Sequence, residues 1–537
     1  MNETISDGTM QMIPADSVER LLVFDQPLVL PDDEYNRQLV RNVHPPGWVN
    51  PDASERYNLV VIGAGTAGLV TAVVAAGIGA KVALIERHLM GGDCLNVGCV
   101  PSKSLIRASK AWADLHDATE YGLSIPGGVA YDFGKVMARM RNLRARISHA
   151  DSAQRYNSLG VDVYIGAARF TGDNSIAVEG PSGSRALRFV KAVICTGARP
   201  SVPSIPGIVE AGYLTNETVF SLTSLPPRLG VIGAGPVGCE LAQAFARFGS
   251  QVSLVETMHG IMPNEDRDAA AIVQQAMARD GVTLLCCAKE LTVSNGGGGK
   301  RLSLQSHDRR YDVTVDEILI GVGRAPNVEG LGLESVGVEF DKAGIKVNDR
   351  LQTTNPRIFA AGDVCSRYKF THMADAMAQI VIQNALFPHP LGLAYASTKS
   401  LILPWCTFTE PEIAHVGAYE EEARQQGIEV ETYTYKLEEV DRAILDGEEE
   451  GFARIHIKKG TDTVLGATIV AAHAGDMIGE ISVLMKAGVG AKTLAATVHP
   501  YPTQSEVCKK AVNLWRKAHF TPRTKAWLTR LFAWMRR

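Results

Sequence analysis

A chain of 537 residues is too long for one hydrophobic core, so we expect three or four domains. Apolar residues make up 46% and charged residues 21%, with a formal net charge of -4, a balance that is ordinary for a globular protein and argues against nucleic acid as a partner. Nine cysteines are too few for a structural disulfide framework, so a close pair of them is a candidate for catalysis or metal binding.

The N-terminal residues MNETISDGTMQMIPADSVER have neither a basic start nor a continuous apolar segment. We therefore expect no signal peptide and a cytoplasmic location. Residues 1–56 are read as an N-terminal extension that packs over the first domain or a dimer partner, and the sequence assigns them no chemistry.

The segment YNLVVIGAGTAGLVTAVVAAGIGAKVALIER begins at Tyr57 and predicts a strand, a glycine-rich turn, a small-residue helix and a second strand. Part of it is uncharged for long enough to imitate a membrane span, but its glycines favour a dinucleotide-binding βαβ unit. Gly63 permits the tight turn, Gly65 lets the backbone approach a pyrophosphate, and Gly68 allows close packing of helix on strand. Glu86 would bind the ribose hydroxyls.

A second unit of the same kind occurs in LGVIGAGPVGCELAQAFARFGSQVSLVET. Its glycines are Gly233, Gly235 and Gly238, and Glu256 follows Gly233 at the same interval as Glu86 follows Gly63. Two such units predict two bound dinucleotides. A carboxylate at Glu256 favours a free 2′-hydroxyl, and therefore NADH over NADPH.

The segment GGDCLNVGCVPSK contains Cys94 and Cys99, for which a structural disulfide, zinc ligation, inert core thiols and a redox pair are all open. The other cysteines offer no second half of a zinc site; Cys286 and Cys287 lie in a strand-like run, where they would point to opposite faces as filler residues. We therefore expect no metal site. Pro101 suits the first turn of a helix, which would put Cys99 at a helix N-terminus and favour its thiolate.

Cys94–Lys103 resembles the active-site segment of the class I pyridine nucleotide-disulfide oxidoreductases, a flavoprotein family that includes dihydrolipoyl dehydrogenase, glutathione reductase and mercuric reductase. The resemblance extends from about Tyr57 to about Lys510. Four further segments are similar to those of the family, namely ICTGARP (194–200), GVGRAPN (321–327), TTNPRIFAAGDV (353–364) and FTEPEIAHVG (408–417).

The resemblance implies that NAD(P)H reduces FAD, that FAD reduces a disulfide, and that the dithiol reduces an acceptor. It implies that Cys99 faces the flavin, that Cys94 exchanges with the acceptor, and that Lys103 lies by the flavin and pairs with Glu240. It also implies cofactor contacts at four further residues, of which Thr196, Gly197 and Asp363 would contact FAD and Gly323 would contact NAD.

The acceptor depends on VHPYPTQSEV (498–507). Disulfide-reducing members have a histidine five positions before Glu506, where this chain has Tyr501; His499 lies two residues further upstream. A phenol, with a reference pKa of about 10, is a poor base at neutral pH. In having tyrosine at this position the chain is similar to mercuric reductases. Many of those enzymes also have a cysteine pair near the C-terminus and cysteines in an N-terminal metal-binding module, whereas here no cysteine follows Cys508 and none lies in residues 1–56.

The acceptor thus stays open between Hg(II) carried by a small thiol, a quinone, and a disulfide with His499 as the base. A dihydrolipoyl dehydrogenase is the alternative enzyme, and a membrane-associated flavoprotein that binds or senses without turnover is the alternative from another class. Intact Cys94, Cys99, Lys103 and Glu240 argue against the latter.

The predicted fold class is α/β, with two Rossmann-like FAD- and NAD(P)-binding domains, the second inserted in the first, and a C-terminal α+β dimerisation domain. Tyr501 and Glu506 of the other subunit of a homodimer would line the acceptor site. The predicted boundaries are an extension at 1–56, FAD-binding parts at 57–200 and 326–398, an NAD(P)-binding domain at 201–325, a dimerisation domain at 399–515 and a basic tail at 516–537.

The C-terminal end is strongly basic, with nine Lys or Arg and no Asp or Glu from Lys509 to Arg537. Thr521 and Pro522 predict the cap and first turn of a last helix. Its apolar residues, three of them aromatic, fall on one arc and its basic residues on the rest. Docking on the chain's own dimer is the common role of such a helix, and attachment to an anionic membrane surface is the alternative.

Overall fold

The computed structural model describes residues 27–124, 132–181 and 183–537. The expectation of no signal peptide concerns residues outside these ranges.

Helices and strands alternate through most of the described chain. The helices are α1 Glu34–Val43, α2 Thr66–Gly77, α3 Gly92–Asn96, α4 Cys99–His116, α5 Phe133–Ile147, α6 Ala153–Ser158, α7 Ile208–Ala211, α8 Pro236–Arg247, α9 Arg267–Arg279, α10 Thr371–Leu386, α11 Glu420–Gln425, α12 Asp441–Asp446, α13 Ala474–Lys486, α14 Ala491–Ala496, α15 Glu506–Ala518 and α16 Pro522–Met535.

The strands are β1 Tyr57–Ile62, β2 Val82–Glu86, β3 Val161–Ile165, β4 Ala167–Gly172, β5 Ser175–Gly180, β6 Gly183–Ile194, β7 Ala198–Pro200, β8 Arg228–Ile232, β9 Gln251–Val255, β10 Val282–Leu285, β11 Lys289–Gly296, β12 Gly299–Ser306, β13 Arg309–Val315, β14 Glu317–Ile320, β15 Arg324–Pro326, β16 Phe340–Asp341, β17 Gly344–Ile345, β18 Ile358–Ala360, β19 Pro404–Thr407, β20 Glu412–Gly417, β21 Val430–Lys436, β22 Phe452–Lys458 and β23 Val464–Ala471.

The first nucleotide-binding sheet has the order β3-β2-β1-β6-β5-β4, and β18 pairs with β6. Strands β3, β2, β1, β6 and β18 are parallel, whereas β4 and β5 form an antiparallel extension. The backbone run that could have imitated a membrane span is β1 followed by α2, and five of the six residues of β1 are buried. Among the described residues, every helix is either too short or too polar to cross a bilayer.

A second parallel sheet, in the order β10-β9-β8-β14, follows the same βαβ logic around α8. An antiparallel meander of β11, β12 and β13 lies between β10 and β14 in the chain. Because β18 returns to β6 after this sheet is complete, the second nucleotide-binding domain is an insertion in the first, which confirms the predicted fold class.

The chain divides into two compact units. One unit runs up to His259 and continues over Gly281–Leu401, and therefore holds both parallel sheets. The other comprises Gly260–Asp280 and Ile402–Arg537, so α9 belongs to the same unit as the C-terminal residues. The predicted domain boundaries stay predictions.

The C-terminal unit is built on an antiparallel sheet in the order β19-β20-β23-β22-β21. Helices α13 and α15 pack on it over a continuous apolar core that includes Ile455, Ile469, Ile481 and Trp515. Its last helix, α16, begins as predicted, since the Thr521 hydroxyl accepts a hydrogen bond from the Thr524 amide and Pro522 occupies the first turn.

Candidate active site

Both glycine-rich turns have the geometry that the motif requires. Gly63 adopts a φ of +99°, and Gly233 a φ of +102°, values that favour glycine. A Cβ on Gly68 would lie 1.8 Å from the carbonyl oxygen of Gly63, and one on Gly238 would lie 1.9 Å from that of Gly233. Helix and strand are therefore as close as the motif predicts.

The helices that follow these turns begin without a side-chain cap, at Gly65 for α2 and at Gly235 for α8. Their first N–H groups therefore remain for a phosphate ligand, which the positive end of each helix dipole also favours. The close packing at Gly68 and Gly238, which leaves no room for a Cβ, and the uncapped helix starts fit a bound pyrophosphate in both units.

The two terminal glutamates make equivalent contacts. Glu86 accepts hydrogen bonds from the amides of Ala64 at 2.7 Å and His88 at 2.8 Å. Glu256 accepts from the amides of Ala234 at 2.8 Å and Met258 at 2.9 Å. Each carboxylate is thus fixed beside its glycine turn, where the ribose of a dinucleotide is expected.

The two chain crossings between the nucleotide-binding domains lie side by side. The Thr196 hydroxyl donates to the carbonyl of Asn327 at 2.6 Å, and the Asn327 amide donates to the carbonyl of Gly197 at 3.0 Å. Strands β7 and β15 pair directly beyond them. Gly323, with a φ of +124°, accepts a hydrogen bond from the Ser201 amide at 2.9 Å, so the crossings form one connected layer.

Asp363 lies in a partly buried cluster of charges. Burial raises the pKa of its carboxyl, against the opposing effects of Arg324 and Lys369. The Arg324 guanidinium lies 3.6 Å from Asp363 and also forms an ion pair with Asp93 of α3. Arg324 thereby connects Asp363 of the segment TTNPRIFAAGDV to the helix that carries Cys94.

Cys94 lies in α3 and Cys99 is the first residue of α4, with Pro101 in the first turn. Cys99 therefore occupies the predicted helix N-terminus. Both sulfurs are free thiols; Cys94 is half-buried and Cys99 is exposed. The Thr371 hydroxyl, at the start of α10, lies 3.5 Å from the Cys99 sulfur.

The thiol pair is strongly polarised. The hydrogen bond from Cys94 lowers the pKa of Cys99 to about 6. Thr371 and the nearby Lys103 act in the same direction, against the desolvation of the sulfur by surrounding atoms and the charge of Glu240. The same hydrogen bond, together with burial, raises the pKa of Cys94. At neutral pH the pair therefore holds one thiolate, at Cys99, and one proton, at Cys94.

Lys103 and Glu240 form an ion pair of 2.7 Å between α4 and α8. The Glu240 side chain is 4% exposed, so this carboxylate needs the ammonium as its partner. An open cavity of about 400 Å³ borders Cys99 and Lys103, with Arg107 and Arg139 on its wall.

The residues that were expected to serve the acceptor lie in the C-terminal unit. The exposed Tyr501 donates its hydroxyl hydrogen to Asp441 at 2.9 Å, and this contact raises the pKa of the phenol. His499 lies 3.0 Å from a carboxylate oxygen of Glu480 and is 7% exposed. Glu506 is the first residue of α15. The expected participation of these residues in the Cys94/Cys99 site stays a prediction.

The prediction for Cys286 and Cys287 is wrong in one respect. Strand β10 ends at Leu285, and Cys287 adopts a φ of +54°, so the alternation of faces stops before the pair. Both sulfurs instead face one cluster with His259 and His307. The sequence could not show this, because the two histidines lie in separate loops.

Several residues with a direct effect on the candidate site were missed in the sequence. Thr371 contacts Cys99, the ion pair of Asp93 and Arg324 joins the segment of the cysteine pair to GVGRAPN, and Asp441 and Glu480 hold Tyr501 and His499. Thr371, Asp441 and Glu480 lie outside the motifs quoted above, and Asp93 and Arg324 lie in two different motifs, so only the fold brings each residue to its partner.

Two dinucleotide-binding units around a polarised dithiol define a flavin- and nicotinamide-dependent thiol oxidoreductase. Comparison with known families gives the same class. Residues 57–378 match the model described as pyridine nucleotide-disulphide oxidoreductase, and residues 403–512 match the dimerisation domain of that group. The chain belongs to the pyridine nucleotide-disulphide oxidoreductase family, which confirms the resemblance, and the dimerisation domain supports assembly as a homodimer.

Curated relatives fall into two enzyme groups. A mercuric reductase from Staphylococcus aureus is 33% identical over 85% of this chain and 82% of its own length. A dihydrolipoyl dehydrogenase from Geobacillus stearothermophilus is 30% identical over 85% of this chain and 95% of its own. The family to which the chain belongs is FAD-dependent and uses NAD(P)H, which confirms the expected cofactors.

Solved structures agree on the fold. The Cu(II) complex of the HOCl-induced flavoprotein disulfide reductase RclA from Escherichia coli has a TM-score of 0.74 at 28% identity, covering 86% of this chain and 100% of that one. LpdA from Mycobacterium tuberculosis has a TM-score of 0.76 at 26% identity, with coverage of 86% and 100%.

Proposed function

We propose that this chain is a mercuric-reductase-like NAD(P)H oxidoreductase that delivers electrons through Cys94 and Cys99 to a small acceptor such as thiol-bound Hg(II). The observation that carries this proposal is the polarised thiol pair, with the pKa of Cys99 lowered to about 6 and that of Cys94 raised. When bound, FAD supplies the chemistry that converts the hydride of a reduced nicotinamide into two electrons for the sulfur pair.

The residues around the pair each have a defined task. Lys103 and Thr371 stabilise the negative charge on the Cys99 sulfur. Cys94 retains its proton until a ligand or an electrophile approaches its sulfur. The first glycine turn, Glu86 and Asp363 would hold FAD, and the second glycine turn and Glu256 would hold the nicotinamide nucleotide.

The state of Tyr501 favours a soft metal ion as the acceptor. Its hydrogen bond to Asp441 raises the pKa of the phenol, so it stays protonated near neutral pH and does not serve as a base. Two thiolates bind Hg(II) without a positioned base. For a complex with a small thiol RSH, the overall reaction is Hg(SR)2 + NAD(P)H + H+ → Hg0 + 2 RSH + NAD(P)+.

Disulfide reduction is the second candidate, because His499 has the surroundings of an oriented imidazole. Its Nε2 atom lies 3.0 Å from Glu480, and the ring is nearly buried. A carboxylate that fixes an imidazole in this way is a common arrangement for proton transfer. In this case the acceptor would be a small disulfide, as in dihydrolipoyl dehydrogenase.

An acceptor panel tests the proposed function. NADH and NADPH oxidation would be followed with Hg(II) in excess small thiol, lipoamide, glutathione disulfide and a quinone, using FAD-loaded wild type and the Cys94→Ser/Cys99→Ser variant. Faster turnover with Hg(II) than with either disulfide, lost in the variant, supports the proposal. Turnover confined to lipoamide selects the second candidate, and no turnover with any acceptor contradicts both.

We further propose that α16 attaches the enzyme to an anionic membrane surface. Four large apolar residues of this helix are more than half exposed, namely Trp527, Phe532, Trp534 and Met535. The segment from Lys509 to Arg537 carries nine Lys or Arg and no acidic residue, a charge that suits anionic lipid. Removal of residues 521–537 should abolish co-sedimentation with anionic liposomes; equal binding of both forms would instead assign the helix to the protein's own dimer.

A further inference from the structure

Four metal-ligating side chains meet at one edge of the second parallel sheet, outside the Cys94/Cys99 site. They are His259, Cys286, Cys287 and His307, and we call them the Cys2His2 cluster. His259 follows β9, the two cysteines follow β10, and His307 lies in the turn between β12 and β13. All four residues belong to the same compact unit.

The potential ligand atoms of the cluster all lie within 4.8 Å of one another. The Cys286 sulfur lies 3.2 Å from Nε2 of His307, and the Cys287 sulfur lies 3.6 Å from Nδ1 of His259. The two imidazole rings are nearly perpendicular, at 88°. Around a tetrahedral ion with bonds of about 2.0–2.3 Å, ligand atoms lie roughly 3.3–3.8 Å apart, so small side-chain rotations are sufficient to close the cluster.

The backbone holds these three loops together without any ion. The Cys287 amide donates to the carbonyl of Met258 at 3.0 Å, and the Ser306 hydroxyl donates to the carbonyl of Cys286 at 2.6 Å. Cys287 adopts a φ of +54°, which turns its side chain to the same side as that of Cys286. The ligands are therefore brought together by the fold and not by flexible side chains alone.

The backbone at His307 is also in the left-handed region. This residue and Asp308 have φ values of +45° and +62°, which is the pattern of a two-residue type I′ hairpin turn. Such a turn usually contains Asn or Gly, so the histidine is an unusual choice that β-hairpin formation does not require.

We propose that the Cys2His2 cluster binds one Zn(II)-type ion, in a site separate from the Cys94/Cys99 pair. Two thiolates and two imidazoles are the ligands of tetrahedral zinc, and two thiolate charges balance a divalent cation.

The ion would cross-link three loops, including the one that begins with Glu256. The amide of Met258 donates to Glu256, and its carbonyl accepts from Cys287, so the cluster and the nucleotide-binding carboxylate share a hydrogen-bonded segment. Metal binding should therefore raise the melting temperature of the folded protein. The proposal does not depend on the identity of the electron acceptor.

The test uses full-length, FAD-loaded Cys94→Ser/Cys99→Ser protein, so that the active-site thiols cannot bind the probe. Zn(II) would be titrated by calorimetry under a phosphine reductant, and Co(II) would report tetrahedral thiolate coordination by its visible and charge-transfer bands. We expect one Zn(II) per subunit, lost on further Cys286→Ser/Cys287→Ser substitution. His259→Ala or His307→Ala should weaken binding by roughly 10- to 100-fold or more.

Cys406→Ser in the same background is the matched control, because Cys406 is half-buried and lies outside the cluster. It should bind Zn(II) as its parent does. The proposal is overturned if the parent binds no Zn(II), or if the Cys286→Ser/Cys287→Ser protein, with normal flavin content, binds as tightly as the parent. The two histidine variants, at exposed positions, decide the matter if the cysteine variant does not fold.

Discussion

The Lys103 ammonium lies 2.7 Å from the Glu240 carboxylate, and the two charges act in opposite directions on the Cys99 thiol. Lys103 lowers the pKa of Cys99, whereas Glu240 raises it. This ion pair joins the helix that carries the thiol to the helix of the second nucleotide-binding unit. The pair therefore adjusts the pKa of a thiol whose largest single influence is the hydrogen bond from Cys94.

Substitution of the two partners should move the pKa of Cys99 in opposite directions. Lys103→Met should raise it and Glu240→Gln should lower it, each by about half a pH unit, since one stabilising and one destabilising charge is removed. The measurement is a pH titration of the long-wavelength thiolate-to-flavin absorbance of the two-electron-reduced enzyme. A shift in the same direction for both variants would exclude this electrostatic account.

The wild-type titration itself is predicted. A pKa lowered to about 6 means that the thiolate band is fully developed above pH 7 and disappears as the pH falls through about 6. Thr371→Val removes a hydroxyl that stabilises the thiolate, so the midpoint should rise by about 1 pH unit. Thr371→Ser, which keeps the hydroxyl, is the control and should leave the midpoint unchanged.

Two glycines on one helix give a matched test of the FAD-binding turn. Gly68→Ala would place a Cβ 1.8 Å from the Gly63 carbonyl oxygen, so purified protein should contain little FAD and unfold at a lower temperature. A Cβ on Gly77 meets nothing within 4 Å. Gly77→Ala should retain FAD and stabilise the protein by about 0.5–1 kcal/mol. Full flavin content in the Gly68→Ala protein would contradict the structure of the turn.

Tyr501→His should create disulfide reductase activity if the missing base is what limits it. A positioned imidazole contributes roughly 100-fold or more, and its gain should be visible with lipoamide or glutathione disulfide. Tyr501→Phe also loses the hydrogen bond to Asp441 but gains no base, so it separates the two effects. If Tyr501→His leaves disulfide turnover unchanged, then the lack of a base at this position is not the limiting feature.

Glu256→Ala should change the preference for the nicotinamide nucleotide. Loss of a carboxylate that would bind the ribose hydroxyls should raise the KM for NADH roughly tenfold and leave that for NADPH much less affected. The measurement is steady-state kinetics with both nucleotides and one acceptor. An equal rise in KM for both would show that Glu256 only maintains the turn through its bonds to Ala234 and Met258.

Local motifs allowed much of this structure to be predicted. The glycines from Gly63 and the acid at Glu86 predicted the strand, turn, helix and strand that the structure shows over residues 57–86. The residues that contact one another in this unit are close in the chain. Pro101 similarly placed Cys99 at the start of a helix. In these cases the residues that decide the structure lie close together in the chain.

Long-range partners could not be predicted in this way. Thr371 contacts Cys99 from 272 positions away, and Arg324 reaches Asp93 from the return crossing. The prediction that Cys286 and Cys287 point to opposite faces was wrong because the backbone of Cys287 leaves the strand conformation. No adjacent Gly or Pro in the sequence indicates this change. Such contacts depend on how the two sheets are assembled, and a local pattern carries no information about that.

The central claim is that electrons leave the flavin through Cys94 and Cys99, and an anaerobic reductive titration of the FAD-loaded protein tests it most directly. The account predicts that each subunit takes up two electrons beyond those that the flavin accepts, with a long-wavelength thiolate-to-flavin band in between, and that Cys94→Ser/Cys99→Ser loses both. Uptake limited to the flavin, with no such band in the wild type, would contradict it.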